Sequence, residues 1–319
     1  DSYNTAVGYG AGLSVTTGVR NTLIGGLSGD ALTTGDNNVA LGFNALSADT
    51  QGDRNIAIGT DALSAQNFTT STDSYNTAIG FQSGVSVTTG IKNTLIGGEA
   101  GDALTDADYN VAIGYGALTS DTLGSRSVAV GQRALVNQNF TTATNTYNVA
   151  IGDNAGAAVT TGTQNTLIGG LAGDAQTTAS GNTALGYASL TDNVLGSNSV
   201  AIGKNALNAQ APSTATDMHN VAVGNNAGEA ITTGTQNTLI GGLAGDALLN
   251  AANVVALGYK ALSADTKGFG SVAIGNQALE NQNFTTNTDT FNTAVGYFAG
   301  NDVTTGVSNT LIGGLAGDA

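Results

Sequence analysis

The sequence has 319 residues, of which 47 are glycine and one is proline, and it has neither cysteine nor tryptophan. Eight basic residues against 23 acidic ones give a net charge of -15, which leaves no basic surface for nucleic acid or for an anionic membrane. The composition also excludes disulfide scaffolds and cysteine-based zinc sites, and glycine does not recur at every third residue as it does in collagen.

A five-residue phrase recurs along the whole chain and always ends in glycine. Its commonest form is Asn-(Thr/Val)-(Ala/Leu)-(Ile/Val/Leu)-Gly, as in residues 4–8 and 38–42. The closing glycines follow one another in steps of 17, 17, 17 and 21, and this set of steps begins again at Gly80, Gly152 and Gly224. The array therefore divides into repeats 1–72, 73–144, 145–216 and 217–288 and a partial repeat 289–319. Because the chain begins at a repeat boundary and ends within a repeat, we expect one continuous solenoid that is a segment of a longer protein.

The period predicts the fold. Seventeen residues are too few for a pair of helices and too many for one strand, but they suit two short strands and tight turns in one coil of a solenoid. The second to fourth residues of the phrase are expected to form one strand of each turn, the signature strand. The branched residues at its first and third positions are expected to face the coil interior, and the Ala or Leu between them to face outward. The sequence therefore predicts an all-β fold, a parallel β-solenoid (β-roll) whose turns follow the 17/17/17/21 pattern.

The expected outward row of Ala and Leu predicts self-association. Strands that are apolar on both faces are usually covered on both, and an apolar patch of this length exceeds what soluble monomers usually expose. A homo-oligomer with rotational symmetry would give every subunit the same contact. The alternative is a flattened monomeric solenoid whose alanine face is half covered.

Asparagine opens the phrase in 14 of the 18 turns. Stacked amides can hydrogen-bond from one turn to the next, so this column is predicted to be a structural ladder and not a ligand site. Its first members are Asn4, Asn21, Asn38, Asn55, Asn76, Asn93 and Asn110.

Four copies of the phrase indicate a family. Residues 4–8, 38–42, 199–203 and 271–275, each followed three residues later by alanine, resemble the head repeats of trimeric autotransporter adhesins (YadA-like). Similar repeats occur in bacteriophage tail fibres. The resemblance covers the entire chain and implies a left-handed β-roll, three subunits wound about a common axis, and an extracellular adhesive fibre. The adhesin heads have a shorter turn without the regular four-residue insert, and their matching positions are core positions, so no binding residue is transferred.

The long fourth turn is where a binding function could enter. Its insert reads Asn-Phe-Thr-Thr in three repeats and Ala-Pro-Ser-Thr at residues 211–214 of the third. Loops that project from solenoids are common recognition elements, and an exposed phenylalanine could stack on a sugar. The alternative is that each ring packs beneath its own loop. The candidate ligand-binding residues are these rings and the aromatic column that precedes the phrase, namely Phe68, Phe140, Phe284, Tyr75, Tyr147, His219 and Phe291.

The sequence predicts neither a catalytic site nor a metal site. His219 is the only histidine, and it replaces an aromatic residue in its column, so it does not indicate a base paired with a nucleophile. Aspartates recur four turns apart, too far from one another to share a calcium ion. They are Asp30, Asp102, Asp174, Asp246 and Asp318. We therefore expect a protein that is not an enzyme and that has no cofactor.

Together these features predict a structural or adhesive rod segment of a trimeric extracellular fibre, located at a cell surface or on a virion. A surface glycan or a protein receptor is the expected partner, and no apolar run is long enough to span a membrane. One alternative is a bacteriophage tail-fibre shaft involved in host recognition. Another is an ice-binding solenoid that uses Thr-Thr-Gly turns such as residues 16–18, although the third and fourth turns of each repeat lack the pair.

Overall fold

The chain is all-β. The computed structural model describes residues 2–318, and no helix occurs within that range. These residues form two compact units, one that ends at Thr161 and one that begins at Gly162. Each unit contains nine three-residue strands, and each of these strands pairs in parallel with the equivalent strand of a neighbouring turn. Each unit is thus a parallel β-solenoid, which confirms the predicted fold class.

The strands of the two units are short and regularly spaced. In the first unit they are β1 (Thr5–Val7), β2 (Thr22–Ile24), β3 (Val39–Leu41), β4 (Gly52–Asp53), β5 (Ile56–Ile58), β6 (Thr72–Asp73), β7 (Thr77–Ile79), β8 (Thr94–Ile96), β9 (Val111–Ile113), β10 (Gly124–Ser125), β11 (Val128–Val130), β12 (Thr144–Asn145) and β13 (Val149–Ile151). In the second unit they are β14 (Thr166–Ile168), β15 (Thr183–Leu185), β16 (Gly196–Ser197), β17 (Val200–Ile202), β18 (Thr216–Asp217), β19 (Val221–Val223), β20 (Thr238–Ile240), β21 (Val255–Leu257), β22 (Gly268–Phe269), β23 (Val272–Ile274), β24 (Thr288–Asp289), β25 (Thr293–Val295) and β26 (Thr310–Ile312).

The strand register follows the sequence repeat. Val39 of β3 pairs with Ile56 of β5 across one of the shorter steps, and Ile56 pairs with Thr77 of β7 across the longer step. The four extra residues of the longer step therefore do not shift the register of the signature strands. They lie in a loop at whose base the two-residue strands β4 and β6 pair. Equivalent residues of neighbouring turns consequently lie side by side within each unit.

The expected orientation of the signature strands is wrong, because the structure reverses the inner and outer faces. The middle residue points into the coil: Ala40 is 0% exposed, whereas Leu41 beside it is 42% exposed. The branched residues that were expected inside form the outer face, and the Ala or Leu row that was expected outside lines the core. An interface formed by the signature strands would therefore use the branched rows and not the alanine row.

Side-chain volume explains the inward Ala and Leu. Leu23 lies in the core of its turn, and a Cβ added to Gly29 would lie 2.8 Å from its Cδ2 atom. In the next turn the strand contributes the smaller Ala40, and Leu46 occupies the turn position equivalent to Gly29. In the second, third and fourth turns of each repeat, a large strand residue is thus matched with glycine or a small one with leucine. In the first turn both positions are small, as at Ala6 and Gly12, and Leu23 of the next turn reaches the space, where a Cβ on Gly12 would lie 2.8 Å from its Cδ1 atom.

The closing glycines allow the turns to stack. Gly25 has a φ of +132°, and a Cβ there would lie 2.6 Å from the carbonyl carbon of Gly42 in the next turn. No side chain fits in that space, and L-residues rarely adopt this backbone conformation. The glycine of the phrase is therefore required by both the close approach and the dihedral angle.

Candidate binding surfaces

The outer face of the signature strands carries no charged side chain in either unit. Its two rows contain Thr, Val or Ile at the first strand position and Ile, Val or Leu at the third. Leu185 and Leu257 of the second unit are each 42% exposed, as is Leu41 in the first. The third-position row is aliphatic in every signature strand, and soluble monomers rarely expose an apolar row this regular, so this outer face is a candidate interface.

A row of exposed aromatic rings follows the closing glycines, and the sequence reading missed it. It is called the aromatic row here. It consists of Tyr9, Phe43, Phe81 and Tyr115 in the first unit, and of Tyr187, Tyr259 and Tyr297 in the second. All seven are between 49% and 86% exposed. The recurrence of a ring in alternate turns of the first unit was the available signal.

Glycine makes room for the rings of the aromatic row. The turn before Phe43 has Gly26 at the equivalent position, and a Cβ there would lie 3.3 Å from the Phe43 ring. Gly98 has the same relation to Tyr115, with a separation of 3.5 Å. Each of these rings therefore lies over a backbone patch that has no side chain.

Hydrogen-bonding side chains occupy the position after the aromatic row in six of the nine turns of the first unit. In the first unit this polar row contains Asn44, Asp61, Gln82, Glu99, Arg133 and Asn154. Asn44 Nδ2 donates to Asp61 Oδ1 at 2.8 Å. The carboxylate of Glu99 accepts a hydrogen bond from the Tyr115 hydroxyl and so raises the pKa of that phenol.

The predicted column that precedes the phrase is a second exposed row, the cation–aromatic row. Tyr75, Tyr147, His219 and Phe291 are all exposed there. In the first unit, cations alternate with the rings. The Arg54 guanidinium lies 5.5 Å from the centre of the Tyr75 ring and also pairs with Asp73.

Tyr109 of the same row lies between two cations. Lys92 Nζ is 5.1 Å from its ring centre and the Arg126 guanidinium is 4.7 Å from it. The ring is therefore already in contact with the protein's own cations. The part of this row in the second unit contains no Lys or Arg, so His219 and Phe291 lack this arrangement.

The phenylalanines of the long turns are buried. Phe68, Phe140 and Phe284 are 6%, 7% and 8% exposed. The rings lie beneath their own loops, as the packing alternative describes, and this burial does not favour stacking on a ligand. Their role in binding stays a prediction.

A buried aspartate holds each of these phenylalanines in place. Asp121 Oδ1 accepts hydrogen bonds from the main-chain N–H groups of Phe140 at 3.0 Å and Gly124 at 3.1 Å. Its Oδ2 accepts a hydrogen bond from Gln138 Nε2 at 2.6 Å. Gln138 Oε1 in turn accepts Asn148 Nδ2 at 2.8 Å. Asp49 and Asp265 have equivalent partners in their repeats. This arrangement is called the Asp–Gln–Asn chain below.

Burial has an electrostatic consequence at two of these aspartates. Desolvation raises the pKa of Asp49 and of Asp121, although the hydrogen bonds that they accept act in the opposite direction. These aspartates were not among the residues predicted from the sequence. Their recurrence three residues before a turn glycine was the available signal.

The long turn of the third repeat differs in both partners. Asn193 replaces the aspartate and Pro212 replaces the phenylalanine, so the N–H group that the aspartate would accept is missing. Asn193 bonds only within its own turn, with its Oδ1 accepting the Gly196 N–H at 2.9 Å and its Nδ2 donating to the Gly196 carbonyl. Gln210 Nε2 is left buried without a hydrogen-bond partner.

The asparagine ladder connects side chains to the backbone. Asn4 Oδ1 accepts the Asn21 N–H at 2.8 Å, and Asn21 Oδ1 accepts the Asn38 N–H at 2.9 Å. Asn21 Nδ2 donates to the Gly35 carbonyl at 2.7 Å. Most of these bonds join an amide to the backbone, and some join two amides, as where Asn55 Nδ2 donates to Asn38 Oδ1 at 3.2 Å. The amide oxygens of Asn38, Asn55, Asn76, Asn93 and Asn110 follow the same pattern.

Threonines of the Thr-Thr-Gly turns use their hydroxyl groups within the fold. Thr16 Oγ1 donates to the Thr33 carbonyl at 3.0 Å, and Thr33 Oγ1 donates to the Thr50 carbonyl at 2.9 Å. Part of the hydroxyl row on which an ice-binding surface would depend therefore stabilises the stacking of the turns.

The recurrent aspartates do not form a metal site with neighbouring ligands. Among residues 2–318, no three His, Asp or Glu side chains lie close enough together to hold an ion. Desolvation raises the pKa of Asp102, Asp174 and Asp246, and one buried carboxylate oxygen of each has no hydrogen-bond partner.

Within residues 2–318, no helix is long and apolar enough to cross a membrane.

Comparison with known proteins adds no assignment. The chain matches no family model. It also matches no curated protein.

Proposed function

We propose that this chain is a rod segment of an extracellular fibre, at a cell surface or on a virion, in which three copies associate through their outer strand faces. The observation that carries the proposal is the uncharged, half-exposed outer face with its regular rows of branched side chains. Its function would be structural, holding a recognition tip away from a surface, and it would not be an enzyme. The resemblance to adhesin heads supports three-fold association.

The geometry of the outer face suits an interface between identical chains. Apolar residues are enriched in the interfaces of permanent oligomers, and identical turns stacked in register would repeat one favourable contact many times. Ile113 and Ile151 are partly exposed in the first unit, and both belong to the same row. Charge placed at either position would remain buried in an oligomer, which is costly for an unpaired ion.

The oligomeric state tests the proposal. We expect the wild-type chain to sediment as a trimer at micromolar concentration. The double variant Ile113→Glu/Ile151→Glu should sediment as a folded monomer. The control Thr70→Glu/Thr142→Glu adds the same two charges at exposed loop positions and should remain trimeric. A folded wild-type monomer at micromolar concentration would contradict the proposal.

The same trimeric rod could instead be the shaft of a bacteriophage tail fibre. The rod and its outer face would serve either fibre equally well. The sequence that flanks this segment in the full-length protein separates the two, since a membrane-anchor domain indicates a cell-surface fibre and a tail-attachment domain indicates a virion.

A further inference from the structure

We infer that the aromatic row of the first unit is a binding surface for a neutral linear polysaccharide, whose sugar rings stack on Tyr9, Phe43, Phe81 and Tyr115. This inference does not require association between copies of the chain. It assigns a ligand class to a surface that is separate from the outer strand rows.

The spacing of the rings suits an extended polymer. They occur in every second turn, which places neighbouring rings about 10 Å apart at the usual separation of paired strands. That distance is close to the length of a disaccharide in an extended polysaccharide. The longer step between Gly59 and Gly80 leaves the strand register unchanged, so Phe43 and Phe81 stay in one line.

The rings of this row are available to a ligand. The sugar-facing surface of an aromatic ring must be open, and Tyr9, Phe43, Phe81 and Tyr115 are each more than half exposed. By contrast, Tyr109 of the cation–aromatic row has Lys92 and Arg126 against it. Stacking partners from outside therefore have better access to the aromatic row.

The polar row decides between a sugar polymer and a protein. Asp61, Glu99 and Arg133 lie directly beside the rings, and charged residues such as Asp and Glu are depleted from the cores of protein interfaces. Amide and carboxylate groups next to an aromatic ring can instead bond the hydroxyl groups at the edge of a sugar. Asn44 and Asp61 already share a hydrogen bond of 2.8 Å, which orients both for this purpose.

Charge favours a neutral polysaccharide over an acidic one. The chain has a net charge of -15, and the polar row of the first unit has two acidic residues, Asp61 and Glu99, against one basic residue, Arg133. An anionic polymer would be repelled. Each ring would contribute a weak contact, so retention should rise steeply with the length of the sugar chain.

The test compares two triple variants of the full chain. Phe43→Ala/Phe81→Ala/Tyr115→Ala removes three rings of the aromatic row. The matched control, Tyr75→Ala/Tyr109→Ala/Tyr147→Ala, removes three exposed rings of the cation–aromatic row. Retention is measured on immobilised β-glucan, xylan, mannan, chitin and dextran, with alginate and single-stranded RNA as anionic probes, and the sedimentation of each protein is recorded in parallel.

We expect wild type to be retained on at least one neutral polysaccharide, the aromatic-row variant to lose at least tenfold in affinity, and the control to remain within twofold. Sedimentation should be the same for all three proteins. The inference is overturned if no neutral polysaccharide is retained, if only alginate or RNA is retained, or if the two variants lose equally. It is also overturned if the aromatic-row variant dissociates a wild-type oligomer, because the rings would then belong to an interface between copies. A wild-type monomer that still binds the polysaccharide would contradict the proposed function and leave this inference standing.

Discussion

The two long turns of the second compact unit differ in how the polar groups beneath the loop are hydrogen-bonded. The turn near Phe284 buries an aromatic ring and holds it with the carboxylate of Asp265, which accepts the Phe284 N–H at 3.1 Å and Gln282 Nε2 at 2.7 Å. The turn near Pro212 has no N–H group to offer and has Asn193 in place of the aspartate, at the cost of an orphaned Gln210 Nε2. The acceptor and the residue that it holds therefore change together. Hydrogen-bond complementarity, more than the identity of the ring, links the two positions.

The largest expected effect is the loss of the aspartate from a turn that contains phenylalanine. Asp121→Ala should leave the N–H groups of Phe140 and Gly124 and the Nε2 of Gln138 without their acceptor. Each orphaned group costs about 1–3 kcal/mol, so we expect a loss of about 4 kcal/mol in the free energy of unfolding after water partly fills the space. Chemical denaturation measures it.

The matched control for that variant is Asn193→Ala in the third repeat. Asn193 bonds only to Gly196, so its loss should cost about 1 kcal/mol. Equal losses in the two variants would show that the Asp–Gln–Asn chain adds nothing beyond a local turn bond.

A smaller and opposite effect should follow from converting the third repeat to the pattern of the others. The double variant Asn193→Asp/Pro212→Phe restores an acceptor for Gln210 Nε2 and an N–H group at position 212. We expect the turn to become more stable by about 1 kcal/mol, since one orphaned donor is satisfied. Hydrogen exchange of the amides around residues 207–216 reports this locally. Faster exchange in the double variant than in wild type would contradict the complementarity.

The smallest effect is a change in pH dependence. Burial raises the pKa of Asp121 in the folded state above its ordinary value of 3.8, so the folded protein binds this proton more tightly than the unfolded chain does. Its contribution to stability is therefore most favourable below 3.8 and is lost as the pH rises through the raised folded pKa.

The variant Asp121→Asn should lack this contribution. The difference in unfolding free energy between wild type and variant, measured by denaturation from pH 7 down to pH 4, should shift in favour of wild type as the pH falls. A difference that is constant across that range would contradict the effect of burial on this carboxyl.

Much of the fold could be predicted from the spacing of one glycine. The regular steps between the closing glycines predict a solenoid turn, and the strand pairs Val39 with Ile56 and Ile56 with Thr77 follow that spacing. The candidate sites were harder to predict, because exposure depends on packing. The sequence left open whether Phe140 is exposed or packed beneath its loop, and the structure buries the ring while the buried carboxylate of Asp121 accepts a hydrogen bond from the Phe140 N–H.

The sequence by itself determined the period, the parallel register and the glycine columns, because each is a local requirement that recurs at a fixed step. Only the tertiary structure decided which face of the signature strand is inside. Neither face carries a charged residue, and both consist of small or branched side chains, so a two-residue alternation cannot distinguish them. The middle residue of the strand lies inside because its size complements that of the turn residue across the coil. Leu23 fills the space beside Gly29, and the smaller Ala40 leaves space for Leu46.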